Sequence, residues 1–384
     1  MNKIFKFVLL TVLAALFSFS FVVCTDSNPS EPKDFNDIDA VEFVKGIKIG
    51  WNLGNTLDAN PWDGFNPNST VTQFETLWVN HVTNKSNIDA IKNNGFNAIR
   101  IPVSWAKMTD SNYKIRNDWM ERVTEIVNYA ADNDMYILLN THHDEHIFGF
   151  KNSNVNASLI AFETIWEQIA SHFKNYNEKL IFEGLNEPRT KGSAGEWTGG
   201  TAEEHNNLNK YYKTFVETVR KTGGNNDKRF LLINTYGASA EQAAINGLTL
   251  PSDTAYKKLI VSIHSYSPYN FALNADSPVN TWSESINSDK TAITSGIDRA
   301  YNKFVTNGIP VIIGEFGAMN KNNDDARQQW AKFYVSYAKS KGMPCFWWDN
   351  AVYTGEGEKF GLLNRSNNTI VYPKVLNGLM AGLQ

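Results

Sequence analysis

Ala98-Ile99-Arg100-Ile101-Pro102 and Tyr136-Ile137-Leu138-Leu139-Asn140-Thr141 bracket the segment that decides the fold. Both are short apolar runs of strand composition. Between them Trp119, Val123, Ile126 and Ala130 recur at helical spacing, so the segment reads strand, amphipathic helix, strand. The pattern extends outward in both directions. Strands are predicted at residues 46–52, 98–102, 136–141, 180–187, 230–234, 260–265, 311–316 and 345–350. Helical faces lie between them: Phe162, Ile165, Ile169 and Phe173; Leu208, Tyr212, Phe215 and Val219; Ile293, Ile297, Ala300 and Phe304; Trp330, Phe333 and Tyr337. Gly95, Gly308 and Gly342 precede strands where a left-handed helix C-cap is expected. Eight βα repeats without an internal linker predict an α/β fold, a single (β/α)8 barrel over residues 38–384. A doubly wound sheet is the alternative, but no G-x-G-x-x-G follows the first strand.

The N-terminus reads as a targeting segment. Lys3 and Lys6 precede an uncharged apolar run from Phe7 to Val23, and a polar stretch with Pro29 and Pro32 follows. Residues 1–24 are therefore a signal peptide or a lipoprotein leader, and residues 25–37 a polar tether. Ser18 and Ser20 have the spacing of an ordinary cleavage site. Phe21-Val22-Val23-Cys24 offers the other outcome, a lipid anchor on Cys24. Both place the protein outside the cytoplasm, secreted or on the outer surface of a bacterium.

Composition narrows the function. With 42% hydrophobic and 20% charged residues the chain is ordinary globular protein, and two cysteines exclude a disulfide framework. A net charge of −4 without a basic stripe argues against a nucleic-acid partner. Eleven Trp, 15 Tyr and 23 Phe supply flat apolar faces of the kind on which sugar rings stack.

In such a barrel the chemistry sits at the C-terminal strand ends. Those ends carry Asn52, Asn55, Arg100, His142, His143, Asn186, Glu187, His264, Tyr266, Glu315 and Trp348. Buried polar groups cost free energy unless paired, so their gathering at one end calls for a purpose. Glu187 and Glu315 end the fourth and seventh strands and face one another across the mouth. Two such carboxyls suit glycoside hydrolysis, which needs a proton for the leaving oxygen and a carboxylate against the developing oxocarbenium ion. Glu183 shares parity with Glu187 but lies deeper, and reads as a structural acid paired with Arg100.

The motifs Gly50-Trp51-Asn52-Leu53-Gly54-Asn55-Thr56-Leu57-Asp58, Ile99-Arg100-Ile101-Pro102-Val103-Ser104-Trp105, Asn140-Thr141-His142-His143, Gly184-Leu185-Asn186-Glu187-Pro188, Ile263-His264-Ser265-Tyr266, Gly314-Glu315-Phe316-Gly317 and Phe346-Trp347-Trp348-Asp349-Asn350 occur in that order. Together they make the chain resemble glycoside hydrolase family 5, nearest its endo-β-1,4-glucanase and xyloglucanase branch. The resemblance implies a retaining mechanism with Glu187 as acid/base and Glu315 as nucleophile. It implies that Asn186 meets the sugar 2-hydroxyl, that Arg100 and Tyr266 partner the nucleophile, and that His142 and His264 line the cleaved sugar. Trp348 resembles the platform under that sugar, with Trp347 turned into packing. The chain departs from the branch at Val79-Asn80-His81, where Gly-Asn-Pro is usual, which bears on substrate preference.

Among the loop aromatics, Trp62, Phe65, Trp105, Trp197, Tyr236, Tyr269 and Trp282 divide between cleft and packing. Trp62 and Trp105, with Asn55 and His143, are expected to touch substrate. A metal site is not expected, because H-E-x-x-H and H-x-x-E-H are absent and adjacent histidines on a strand face opposite sides. No cofactor is expected, and a monomer is. Glu187 has no cation within its motif, so its proton should be kept to higher pH than that of Glu315. The expected substrate is a β-glucan polymer. A β-1,4-mannanase and a non-catalytic surface glycan-binding protein are the alternative readings.

Overall fold

The computed structural model describes residues 34–60 and 68–384. Trp62 and Phe65 therefore lie outside the described residues, as does the leader. Eight parallel strands close into a barrel in sequence order: β1 (Gly50–Leu53), β2 (Ala98–Ile101), β3 (Tyr136–Asn140), β4 (Leu180–Glu183), β5 (Leu231–Ser239), β6 (Leu259–His264), β7 (Val311–Phe316) and β8 (Cys345–Asp349). Closure is made by β1 against β8, where Gly50 pairs with Phe346 and Asn52 with Trp348. The doubly wound alternative is excluded.

Strand alternation separates two cores. Ile99 and Ile101, Ile137 and Leu139, and Ile313 and Trp347 point outward and pack beneath the helices. The predicted helical faces supply the other side. Trp119, Val123, Ile126 and Ala130 are all buried on the helix Asn117–Asp132. The interior residues form layers instead. The lower layer is apolar, with Ala98, Leu138, Ile181, Leu232, Ile260, Ile312 and Phe346 in one cluster. A short helix, Ala40–Lys45, plugs this end, and its Phe43 stacks on Phe230 with ring centroids 3.8 Å apart. Two residues further along, the interior turns polar on six of the eight strands: Asn52, Arg100, Asn140, Glu183, Asn234 and Ser262, all buried. The site rests on this second layer.

Three strand boundaries differ from expectation by more than one residue, for local reasons. Residues 46–49 precede the first strand, because Gly46 caps the plug helix. The fourth strand ends at Glu183, so Glu187 stands on the connection beyond it rather than in the sheet. The fifth runs to Ser239 with a register shift after Asn234, where Gly237 and Ala238 have φ of 60° and 49°. Gly95, Gly308 and Gly342 have φ of 99°, 76° and 69°, as caps require.

Candidate active site

Arg100 occupies the interior position of β2 and is wholly buried. A guanidinium has five N–H donors, and here each has a partner. Nε and Nη2 grip the two oxygens of Glu183 at 2.6 and 3.0 Å. Nη1 reaches Asn52 Oδ1 at 3.0 Å and Glu315 Oε1 at 2.6 Å, and Nη2 also reaches Asn186 Oδ1 at 2.7 Å. Burial alone would lower the arginine pKa, but the Glu183 and Glu315 carboxylates outweigh it and hold the group charged. Glu183 is pinned further by Asn234 Nδ2 at 2.9 Å, which explains why a second acid lies so deep.

Glu315 takes its second bond from Tyr266, whose hydroxyl donates to Oε2 at 2.7 Å. Burial and the adjacent Glu315 charge push the Tyr266 pKa well up, so the phenol stays a neutral donor. Both Glu315 oxygens thus accept strong hydrogen bonds, which fix the carboxyl in place. Glu187 is placed differently. Its Oε1 meets His264 Nδ1 at 3.0 Å and its Oε2 lies 3.3 Å from Arg189 Nη1, while its side chain keeps 19% exposure. His264 Nδ1 lies 3.6 Å from Glu315 Oε2, and Glu187, His264 and Glu315 each offer an atom within 4.8 Å of the others.

Burial pushes the Glu187 carboxyl up, but the His264 hydrogen bond and the Arg189 charge outweigh it, leaving the group below the usual glutamate range. The reading of Glu187 as a carboxyl without a cation beside it is therefore corrected. The cation comes from just outside the motif, at Arg189. That residue was missed, although its place directly after Pro188 is a signal that could have found it. Asn234 was missed because nothing local marks it.

His142 is neutral: burial, then the neighbouring His143 and Arg100, hold its pKa well below the ordinary value. Asn140 Nδ2 donates to its Nδ1 at 3.1 Å, which assigns the proton to Nε2. Its ring lies parallel to Trp348 at 5.9 Å. Trp347 points away and is buried against Trp330 and Phe316. The expected opposition of His142 and His143 fails, because β3 ends at Asn140 and strand parity no longer applies; the rings are 4.4 Å apart. His143 is half-buried and pairs with Glu145 at 3.4 Å. Burial lowers its pKa, and Glu145 outweighs that to raise it.

Asp58, His142 and His143 also converge within 4.8 Å, a set that could hold a metal. Asp58, however, spends both oxygens on the backbone N–H groups of Asn55 and Thr56, bracing the turn after β1. Asn55 sits in that turn at φ 57°, half-buried.

Trp105 is not a substrate contact. It is 0% exposed, its Nε1 donates to Asn140 O at 2.8 Å, and Asp144 holds its backbone N–H at 3.0 Å. The loop after β2 is thereby drawn inward, and the indole becomes core. Tyr236 and Trp282 are likewise buried, whereas Trp197 and Tyr269 are exposed.

Residues 62–354 match the family model described as Cellulase (glycosyl hydrolase family 5). The chain is 45% identical over 355 residues to Endoglucanase B of Neocallimastix patriciarum, covering 91% of this chain and 73% of that protein. Among solved structures it is similar to a GH5-4 broad specificity endoglucanase from Ruminococcus champanellensis with bound cellotriose. That match has a TM-score of 0.87 and 46% identity, over 91% of this chain and 100% of that one. It is also similar to a xyloglucan-specific endo-β-1,4-glucanase from a metagenomic library, with a TM-score of 0.81 and 41% identity, over 88% of this chain and 97% of that one.

Arg100→Met would leave Glu183 and Glu315 buried without their cation. The expected loss is about 3–5 kcal/mol of folding stability at neutral pH. Urea unfolding should show the deficit, and adding Glu183→Gln to Arg100→Met should recover part of it; a double variant less stable than Arg100→Met would contradict the charge argument.

Proposed function

The chain belongs to glycosyl hydrolase family 5, and from that footing we propose that it is a retaining endo-β-1,4-glucanase with Glu315 as nucleophile and Glu187 as acid/base. One observation carries the assignment of roles. Two carboxyls face each other within 4.8 Å, one bonded through both oxygens to Arg100 and Tyr266, the other partly exposed beside an imidazole. Carboxyl groups about 5–5.5 Å apart leave no room for a water between them and the sugar, so the second must attack the anomeric carbon itself.

Glu315 bonds to that carbon while Glu187 gives its proton to the glycosidic oxygen, and the distal half of the chain leaves as an alcohol. Glu187, now a carboxylate, takes a proton from water. The water oxygen displaces Glu315, and two inversions give net retention. In the free site Glu187 lies below its ordinary pKa. Bound sugar covers its exposed edge, and desolvation raises a carboxyl, so substrate itself favours loading of the proton. Arg100 holds Asn186 by its Oδ1, leaving the amide N–H groups to meet the sugar 2-hydroxyl. Neutral His142, with its proton on Nε2, is a donor to a further hydroxyl, and Trp348 lies beneath the cleaved sugar.

The substrate is a β-1,4-glucan cut internally, including xylose-branched and mixed-linkage polymers. The names of the relatives, a broad specificity endoglucanase and a xyloglucan-specific enzyme, support that range. The leader supports export, either free or tethered through a lipid on Cys24; the polar tether favours anchoring and Val23 opposes it.

Two outcomes are expected. Glu315→Ala should abolish turnover of every substrate, whereas Glu187→Ala should cripple polymer hydrolysis but spare the first step on an activated aryl cellobioside, whose leaving group needs no proton. Azide should then accelerate Glu187→Ala and yield a β-glycosyl azide; β-azide rescue of Glu315→Ala instead would reverse the roles. For anchoring, protein made with its own leader should partition into detergent and Cys24→Ser should not; a soluble wild type that begins before Cys24 would rule the lipid out.

A further inference from the structure

We propose that Arg189 is the positioning residue of the acid/base: its guanidinium takes over where β4 ends and fixes the Glu187 side chain in both halves of the reaction. The inference rests on the reading of Glu187 as acid/base. β4 stops at Glu183, and Pro188 has no N–H to offer a neighbour, so the strand ladder does not extend to residues 186–188. Other groups hold their carbonyls instead. That of Asn186 accepts from Asn234 Nδ2, and that of Pro188 from the Gly237 N–H at 2.8 Å. The Glu187 carbonyl accepts from Arg189 Nη1 at 2.9 Å, and the same nitrogen lies 3.3 Å from Glu187 Oε2. One nitrogen therefore ties the carboxyl to its own backbone, while His264 Nδ1 meets the other oxygen at 3.0 Å.

Arg189 is held so that it stays in place while the charge of Glu187 changes. It is nearly buried, the Trp197 ring centroid lies 4.4 Å from its guanidinium, and Nε donates to Glu196 Oε1 at 3.1 Å. Glu196 is fixed in turn, since its Oε2 accepts from the Gly192 N–H at 2.7 Å. Glu145 Oε1 lies 3.7 Å from Nη1 and gives the cation a further counter-charge. When Glu187 carries a proton, the carbonyl bond and the two other acids keep the guanidinium matched. When Glu187 is a carboxylate, Nη1 gains a charge-assisted bond to it. A lysine would supply the charge but not the fork that reaches Glu187 and Glu196 together. His264, His143, Glu315, Tyr266 and Glu358 also bear on the charge of Glu187. Arg189 differs from them in holding the backbone as well as the carboxyl.

The test is kcat/KM across pH for cellohexaose and for a dinitrophenyl cellobioside, whose leaving group needs no proton. Arg189→Met should cut kcat/KM for cellohexaose about ten- to hundredfold, as a displaced acid would, and spare most of that for the aryl substrate. Its alkaline limb on cellohexaose should move to higher pH, because a carboxyl that loses a cation keeps its proton longer. Arg189→Lys should hold the limb near that of the wild type and restore only part of the rate. Equal losses on the two substrates, or an unmoved alkaline limb in Arg189→Met, would reduce Arg189 to a support of the loop and overturn the proposal. Should Arg189→Met fail to fold, Arg189→Lys decides: a selective loss on cellohexaose supports the role, and equal losses or wild-type rates overturn it. If Glu187→Ala loses both substrates equally, the acid/base reading itself fails, and the positioning role with it.

Discussion

A buried guanidinium with two carboxylates is the constraint on which the site depends. Burying one charge is costly, and burying three is tolerable only if every donor and acceptor is matched. Arg100 meets the condition by spending all five N–H groups, on Glu183, Glu315, Asn186 and Asn52. The geometry is therefore over-determined. Glu315 cannot rotate without stranding Arg100, and Asn186 cannot turn its amide without losing the same cation. The apolar layer beneath, sealed by the plug helix, keeps water from the underside of this network. Preorganisation of this kind is what a developing oxocarbenium charge requires, since the electrostatic cost is met during folding rather than during reaction.

The two glutamates differ through what surrounds them. Glu315 is tied to the barrel through Arg100 on β2 and Tyr266 beyond β6. Glu187 stands on a connection, touches an imidazole and a second arginine, and keeps an edge open to solvent. One is fixed in position through both oxygens, and the other keeps an edge that a bound sugar can cover. The proposed division of labour follows from that asymmetry of hydrogen bonding and exposure.

Much of this was legible in the sequence. The strand–helix alternation carried the fold, because each barrel repeat buries one helical face and two strand faces, and those periods survive in the residues. The pairing of Arg100 with Glu183 was read from strand parity and depth, and its pairing with Glu315 from the family resemblance. What escaped were features set by loops. Trp105 reads as a cleft aromatic but is pulled into the core by Asp144. The two histidines share a side because the strand stops one residue before Thr141. Arg189 alters the balance on Glu187 through a turn, which no periodicity records.

The central claim is that Glu315, held in place by Arg100, forms the covalent bond. A 2-deoxy-2-fluoro-β-cellobioside with an activated leaving group tests it most directly, because the fluorine slows release of the glycosyl-enzyme more than its formation. Peptide mapping by mass spectrometry should find one fluorocellobiosyl group per chain, on Glu315, with labelling abolished in Glu315→Ala. A label on Glu187, or turnover with inversion and no covalent adduct, would contradict the account.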